Sequence, residues 1–214
     1  MRLYNKLKGI INMLKTNKLS NEEWFKKWEK AKPFMDKMER EYDDLDVNRL
    51  AIGLVKQGTK VLSAGCGCGR EVRFLVQLGC EVVGVDCSQN MINLSKKNEP
   101  NATYFVDDMR TFNSEDDFDY IICLFNTINH LPNLLERKRF INNAFKLLKN
   151  RGKLIIVSIN KFTGLSYFFK SLLSNKDFWY SPKQIEAWFS DNSFKYQMIN
   201  IDGVNLIVAE KLTK

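Results

Sequence analysis

Apolar positions along this chain do not keep one period, and each change of period marks a different kind of element. The runs Lys60-Val-Leu-Ser-Ala64, Glu81-Val-Val-Gly-Val-Asp86, Ala102–Val106, Tyr120–Leu124 and Lys153–Ile159 are short, apolar and rich in β-branched residues, which predicts five strands. Helices are predicted between them: about 70–78, closed by Gly79; about 88–97, capped by Ser88; and about 134–149, ending at Asn150-Arg-Gly152. A strand-helix rhythm of this kind gives a parallel sheet with helices on both faces. The N-terminal part has helical period instead. Leu3, Leu7, Ile10, Ile11 and Leu14 define an amphipathic helix near 3–16 with lysines on its other face. Ser20-Asn-Glu-Glu23 has the form of a capping box and predicts a helix carrying Trp24, Phe25 and Trp28, broken at Pro33 and continued by Phe34, Met35 and Met38. Asp46 is placed to cap a helix through about Lys56, with Gly58 as its stop. At the other end, Ser181–Ser190 reads as a helix. Lys195–Ile201 and Asn205–Lys211 then flank Asp202-Gly203 as a hairpin.

Composition narrows the picture. A chain of 214 residues with 44% hydrophobic content suits one domain with a small appendage. The division expected is a helical cap or lid over 1–45 and a domain over 46–214. No run approaches the ~18–20 apolar residues of a membrane span. Gly9-Ile-Ile-Asn-Met-Leu14 is too short and interrupted for a signal sequence, so a cytoplasmic protein is expected. The cysteines are Cys66, Cys68, Cys80, Cys87 and Cys123. Their odd number fits reduced thiols, and no second pair matches Cys66 and Cys68, so no metal site is expected. The net charge of +8 raises the question of nucleic acid, but the excess is spread along the chain and no added RNA-binding module is visible. Its clearest concentration is Arg2, Lys6, Lys8, Lys15 and Lys18, which leaves contact of the first helix with an anionic membrane surface as a secondary expectation.

The chemistry is concentrated in Lys60-Val-Leu-Ser-Ala-Gly-Cys-Gly-Cys-Gly-Arg70. An apolar strand enters a loop with Gly65, Gly67 and Gly69, and the next strand ends in Asp86, 21 residues after Gly65. Glycines let backbone approach a ligand closely, and an acid at the second strand's end can accept hydrogen bonds from both hydroxyls of a ribose. The dinucleotide pattern G-x-G-x-x-G would place its third glycine where Arg70 stands, which argues against a nicotinamide oxidoreductase. The glycine loop together with Val82-Val-Gly-Val-Asp-Cys-Ser88 resembles the class I S-adenosylmethionine-dependent methyltransferases over about 46–214.

That resemblance implies an α/β fold: a Rossmann-like, seven-stranded, mostly parallel sheet with helices on both faces and a C-terminal antiparallel hairpin, here preceded by the N-terminal helical cap. It implies S-adenosyl-L-methionine as cofactor, bound by Gly65, Gly67, Gly69, Asp86, Cys87, Met91, Asp108, Met109 and Leu124, with Asp108 accepting from the adenine amino group. One position departs from the family pattern. Where an acid usually helps to organise the loop and the cofactor's ammonium group, this chain has Ser63.

In open parallel sheets ligands bind beyond the carboxyl ends of the strands. Phe125 and Asn126, after the fourth strand, are therefore expected at the methyl acceptor. Trp24 and Trp28, with the aromatic segment Phe162–Tyr180, are candidate lids over it. His130, the only histidine, is the candidate general base, with a pocket-wall role as the alternative. Leu124-Phe-Asn-Thr127 replaces the Asp- or Asn-Pro-Pro-aromatic run of nucleobase amino methyltransferases, so a small-molecule acceptor methylated on N or O is expected rather than nucleic acid. A cofactor-binding protein without catalysis, suggested by Ser63, and an RNA or protein methyltransferase, suggested by the charge, are the alternatives.

Overall fold

The computed structural model describes residues 46–159, 180–190, 194–201 and 203–212. The cap predicted over 1–45, with Trp24 and Trp28, and the aromatic segment up to residue 179 lie outside the described residues. In chain order the elements are α1 (Asp46–Gly53), β1 (Lys60–Ala64), α2 (Arg70–Gln77), β2 (Glu81–Asp86), α3 (Gln89–Asn98), β3 (Thr103–Val106), β4 (Phe118–Cys123), a 3-10 turn (Thr127–His130), α4 (Leu134–Leu147), β5 (Leu148–Ile159), α5 (Pro182–Glu186), β6 (Phe194–Ile201) and β7 (Val204–Lys211).

The seven strands form one sheet in the order β3-β2-β1-β4-β5-β7-β6. Strands β1 to β5 run parallel, while β7 pairs antiparallel with both β5 and β6. A parallel sheet must be covered on both faces, and the alternation along each strand separates two cores. Leu62, Ile121, Cys123, Leu154 and Ile156 point to one side, where α4 contributes Phe140, Ile141 and Ala144 and Trp188 is buried. Val61, Tyr120, Ile122, Ile155 and Val157 point to the other, against Ala51 of α1, Val72 and Leu75 of α2, and Ile92 of α3.

Local chemistry sets the ends of the helices. Ser88 Oγ accepts from the Met91 amide to start α3, and the Asn133 side chain accepts from the Glu136 amide to start α4. A capping box of Ser181 and Gln184 starts α5. Three boundaries differ by three residues or more from the sequence expectation. Helix α1 stops at Gly53, because Leu54 and Val55 donate to Ala51 and Ile52 in tight turns. Strand β5 begins at Leu148, since Arg151 in a left-handed conformation (φ 62°) makes the Asn150-Arg-Gly152 segment an irregularity of the strand rather than a gap before it. Helix α5 ends at Glu186, after which the amides of Trp188 and Phe189 reach back only three residues. No helix among the described residues is long and apolar enough to cross a membrane.

Candidate functional site

Strands β1, β2 and β4 are adjacent and parallel, so the segments leaving their carboxyl ends converge at one edge of the sheet. The glycine loop leaves β1 and is clamped from two sides. The amides of Gly65 and Cys66 donate to Val85 O at 2.7 and 3.0 Å. From α3, Ser95 Oγ donates to Gly67 O at 2.8 Å, and Asn98 Nδ2 donates to Cys68 O at 3.0 Å.

The three glycines are needed for different reasons. A Cβ on Gly65 (φ 76°) would fall 2.2 Å from Thr127 Cγ2, and one on Gly69 (φ 80°) would fall 2.9 Å from Ser95 Oγ. These two are glycine because protein packs on them. Gly67 (φ 53°) faces open space, so it is the one whose missing side chain keeps the approach to the loop clear.

Asp86 closes the second side. Its Oδ2 accepts from the Gly67 amide and its Oδ1 from the Ser88 amide, both at 2.9 Å. Burial raises its pKa, and the two amides oppose that. The carboxylate is thus fixed in orientation while each oxygen keeps a further lone pair. Cys87 beside it is exposed, and Met91 is half-buried on the first turn of α3.

The loop after β3 is held by a salt bridge. Asp108 accepts from the Arg110 amide and Nε at 2.9 Å, with further contact to the same guanidinium. Burial works against the carboxylate, but Arg110 holds its pKa below the usual range. Arg110 also pairs with Glu136 of α4. Asp108 is therefore committed to a salt bridge that ties this loop to α4, and Met109 packs towards the α4 core.

After β4 the chain bends sharply. Phe125 and Asn126 both have positive φ, 50° and 61°, a conformation that costs non-glycine residues about 1 kcal/mol or more each. Asn48 of α1, itself buried, accepts from the Phe125 amide at 3.0 Å and holds the bend. The Arg70 guanidinium lies 4.4 Å from the centre of the Phe125 ring. Asn126 Oδ1 is buried and accepts no hydrogen bond among the described residues. Leu124, by contrast, is buried in the core shared with α1 and α2, so its side chain packs rather than lines the site. Thr127 Oγ1 lies 3.5 Å from Gly65 O, which puts the β4 bend directly against the glycine loop. His130 follows at the end of the 3-10 turn, where burial pushes its pKa down to about 4.

A family model described as a methyltransferase domain matches residues 61–152, from β1 into β5. The match marks these residues as a methyltransferase domain, and with the sheet order it supports a class I S-adenosylmethionine-dependent methyltransferase. It is 27% identical over 165 residues to a ubiquinone biosynthesis O-methyltransferase of Coxiella burnetii, covering 70% of this chain and 68% of that one. A mitochondrial ubiquinone biosynthesis O-methyltransferase of Dictyostelium discoideum is 26% identical over 174 residues; these are 69% of this chain but only about half, 53%, of that protein. Among solved structures, magnesium protoporphyrin IX methyltransferase of Synechocystis, with S-adenosylhomocysteine bound, superposes with a TM-score of 0.66 at 22% identity, over 83% of this chain and 87% of that one.

The cofactor of this methyltransferase is S-adenosyl-L-methionine, and the residues present fit it. The approach over Gly67 is clear, and the Asp86 carboxylate is held by amides with lone pairs to spare. Of the residues expected from sequence, the fold brings Gly65, Gly67, Gly69, Asp86, Phe125, Asn126 and His130 to the carboxyl ends of adjacent strands. Sequence reasoning missed Glu71. It is buried beneath the loop and accepts from the Ser63 hydroxyl, where an acid was expected on the strand itself. The signal was available: Glu71, Val72 and Leu75 share the buried face of α2, so an acid stands where the helical period asks for an apolar residue. Asn48, Arg110 and Glu136 had no such signal, because their partners are distant in sequence.

Proposed function

We propose that this methyltransferase moves a methyl group to an oxygen or nitrogen of a small molecule by in-line displacement. The observation that carries the reading is the contact between the glycine loop and the β4 bend through Thr127 and Gly65. It supports a methyl donor on the glycine loop beside an acceptor at the β4 bend. When bound, S-adenosylmethionine supplies a methyl group already activated as a sulfonium, so the protein's task is alignment and exclusion of water. In this reading Gly67 and Asp86 hold the nucleoside part. Phe125 forms an apolar wall stiffened by Arg70, and Asn126 Oδ1 accepts a hydrogen bond from the acceptor's O–H or N–H. An unsatisfied buried acceptor is costly, and a polar ligand group would relieve it.

His130 stands neutral throughout the physiological range and is the group available to take the proton that the acceptor gives up. The Coxiella and Dictyostelium relatives are named as O-methyltransferases, which makes a hydroxyl the first acceptor class to test. The test has two stages. Calorimetric titration with S-adenosylhomocysteine, with NADH in parallel, should give micromolar binding of the first alone. A panel of catechols, phenols and primary amines with radiolabelled cofactor should then show transfer to at least one. Transfer confined to RNA or protein would overturn the small-molecule reading, and binding without transfer to any acceptor would leave a cofactor-binding protein.

A further inference from the structure

Glu71 is a buried acid for which the arrangement described so far has no use. Its side chain is on the first turn of α2, its exposure is 4%, and it accepts from the Ser63 hydroxyl on β1. No cation among the described residues lies within ion-pair distance of it. The neighbouring Arg70 guanidinium is stacked on Phe125 instead. A buried carboxylate without a cation is unfavourable, and a structural purpose would be served better by glutamine. Glu71 also belongs to the element that begins where the glycine loop ends, and it is near enough to Asp86 and to Cys66 of the loop for their charges to interact.

We propose that Glu71 is the acid of the cofactor site: carried by α2 and braced by Ser63, it supplies from beneath the loop the negative charge that receives the ammonium group of the cofactor's amino-acid part. Ser63 and Glu71 together occupy the place of the acid expected at the end of β1. The acid has moved from strand to helix, and the strand keeps a hydroxyl that orients it. This rests on the assignment of S-adenosylmethionine as cofactor and makes Glu71 a cofactor-binding residue of that site.

The surroundings support a charge that appears when the cation arrives. Burial pushes the Glu71 pKa up to about 7, with the Ser63 hydroxyl and Arg70 opposing and Asp86 adding to it. The other groups that feel it are the thiols of Cys66 and Cys123 and the hydroxyl of Tyr104, all with pKa values raised by burial and neutral near pH 7. Without ligand the acid is therefore largely protonated just below neutrality. A bound ammonium group would draw it into the charged form, and binding would release a proton.

The experiment compares two ligands, S-adenosylhomocysteine and 5′-methylthioadenosine, which share the nucleoside and differ in the amino-acid part. Glu71→Gln should weaken S-adenosylhomocysteine by ~10-fold or more at pH 8 and change 5′-methylthioadenosine by less than ~2-fold. Its melting temperature should not fall, since a neutral isostere removes a buried charge. Adding Ser63→Asp to that variant should recover most of the loss. The wild-type protein gives an independent measurement: between pH 8 and pH 6 its affinity for S-adenosylhomocysteine should drop ~10-fold, while that for 5′-methylthioadenosine stays level. Equal weakening of both ligands in Glu71→Gln, or a level wild-type profile for S-adenosylhomocysteine, overturns the inference alone. Wild-type protein that binds neither ligand overturns the cofactor assignment, and the inference with it.

Discussion

At the scale of single residues, two buried ionisable groups pull on stability in opposite directions. Glu71 has a raised pKa of about 7, so the fold binds a proton that the unfolded chain releases above about pH 4.5. Its stabilising contribution is present at low pH and is lost as pH rises through 7. His130 has a lowered pKa of about 4, so its contribution is present above about 6.5 and is lost as pH falls through 4. Each amounts to roughly 3 kcal/mol, and between about pH 4.5 and 6.5 the two slopes nearly cancel. Urea midpoints across this range should therefore be nearly flat in the wild-type protein. They should fall with decreasing pH in Glu71→Gln and rise with decreasing pH in His130→Gln; parallel curves in all three would show that neither group is buried as described. Asp86 has a more local role. Asp86→Ala should reduce affinity for S-adenosylhomocysteine by roughly 1–3 kcal/mol, because two oxygens already aligned by the Gly67 and Ser88 amides are lost. Unchanged affinity in calorimetry would remove Asp86 from the site. The places of the glycines, Asp86 and His130 at the strand ends could be read from sequence because the strands before them are local patterns. The pairing of Asp108 with Arg110, and of Arg110 with Glu136, could not be read there, because it spans from the β3 exit to α4.

At the scale of elements, the glycine loop separates packing from binding, and substitutions should reveal it. Gly69→Ala forces a Cβ against Ser95 at a φ of 80° and releases the bond by which α3 holds Gly67 O. It should lower unfolding free energy by roughly 1–3 kcal/mol in urea titration. Gly67→Ala meets no protein atom, so beyond the roughly 1 kcal/mol of strain at its φ of 53° its effect should appear in cofactor affinity rather than in stability. Equal effects of the two on stability would contradict the division. Strand and helix cores were evident in the sequence wherever a period ran unbroken: β1 and β2 occupy the expected residues. The boundaries that shifted did so where backbone geometry decides and side-chain type is silent, as with Arg151 in the left-handed region inside β5 and the tight turns that end α5.

At the scale of the whole molecule, the sheet joins two unequal cores, and the larger includes a late element. Trp188 is buried at 1% exposure, with Tyr180 edge-on to it at 5.2 Å between ring centres. Tyr180, expected from sequence at the border of an aromatic lid, is instead core packing under Arg137. Trp188→Ala should cost roughly 3–5 kcal/mol in chemical denaturation through the cavity it leaves. A loss below 1 kcal/mol would mean that the α5 region is not part of the cooperative unit. The parallel order of β1 to β5 follows from the strand-helix alternation, and the hairpin follows from Asp202-Gly203, but only the folded sheet reveals that β7 sits between β5 and β6. That insertion orders events during synthesis on the ribosome. Until residues 204–211 emerge, β5 has an open flank that runs through the middle of the finished sheet, and β6 has no neighbour to bind. A message truncated between Ile159 and Val204 would thus yield a chain with its cofactor loop complete but an adhesive strand edge exposed, a substrate for chaperones and proteases rather than a weakened enzyme.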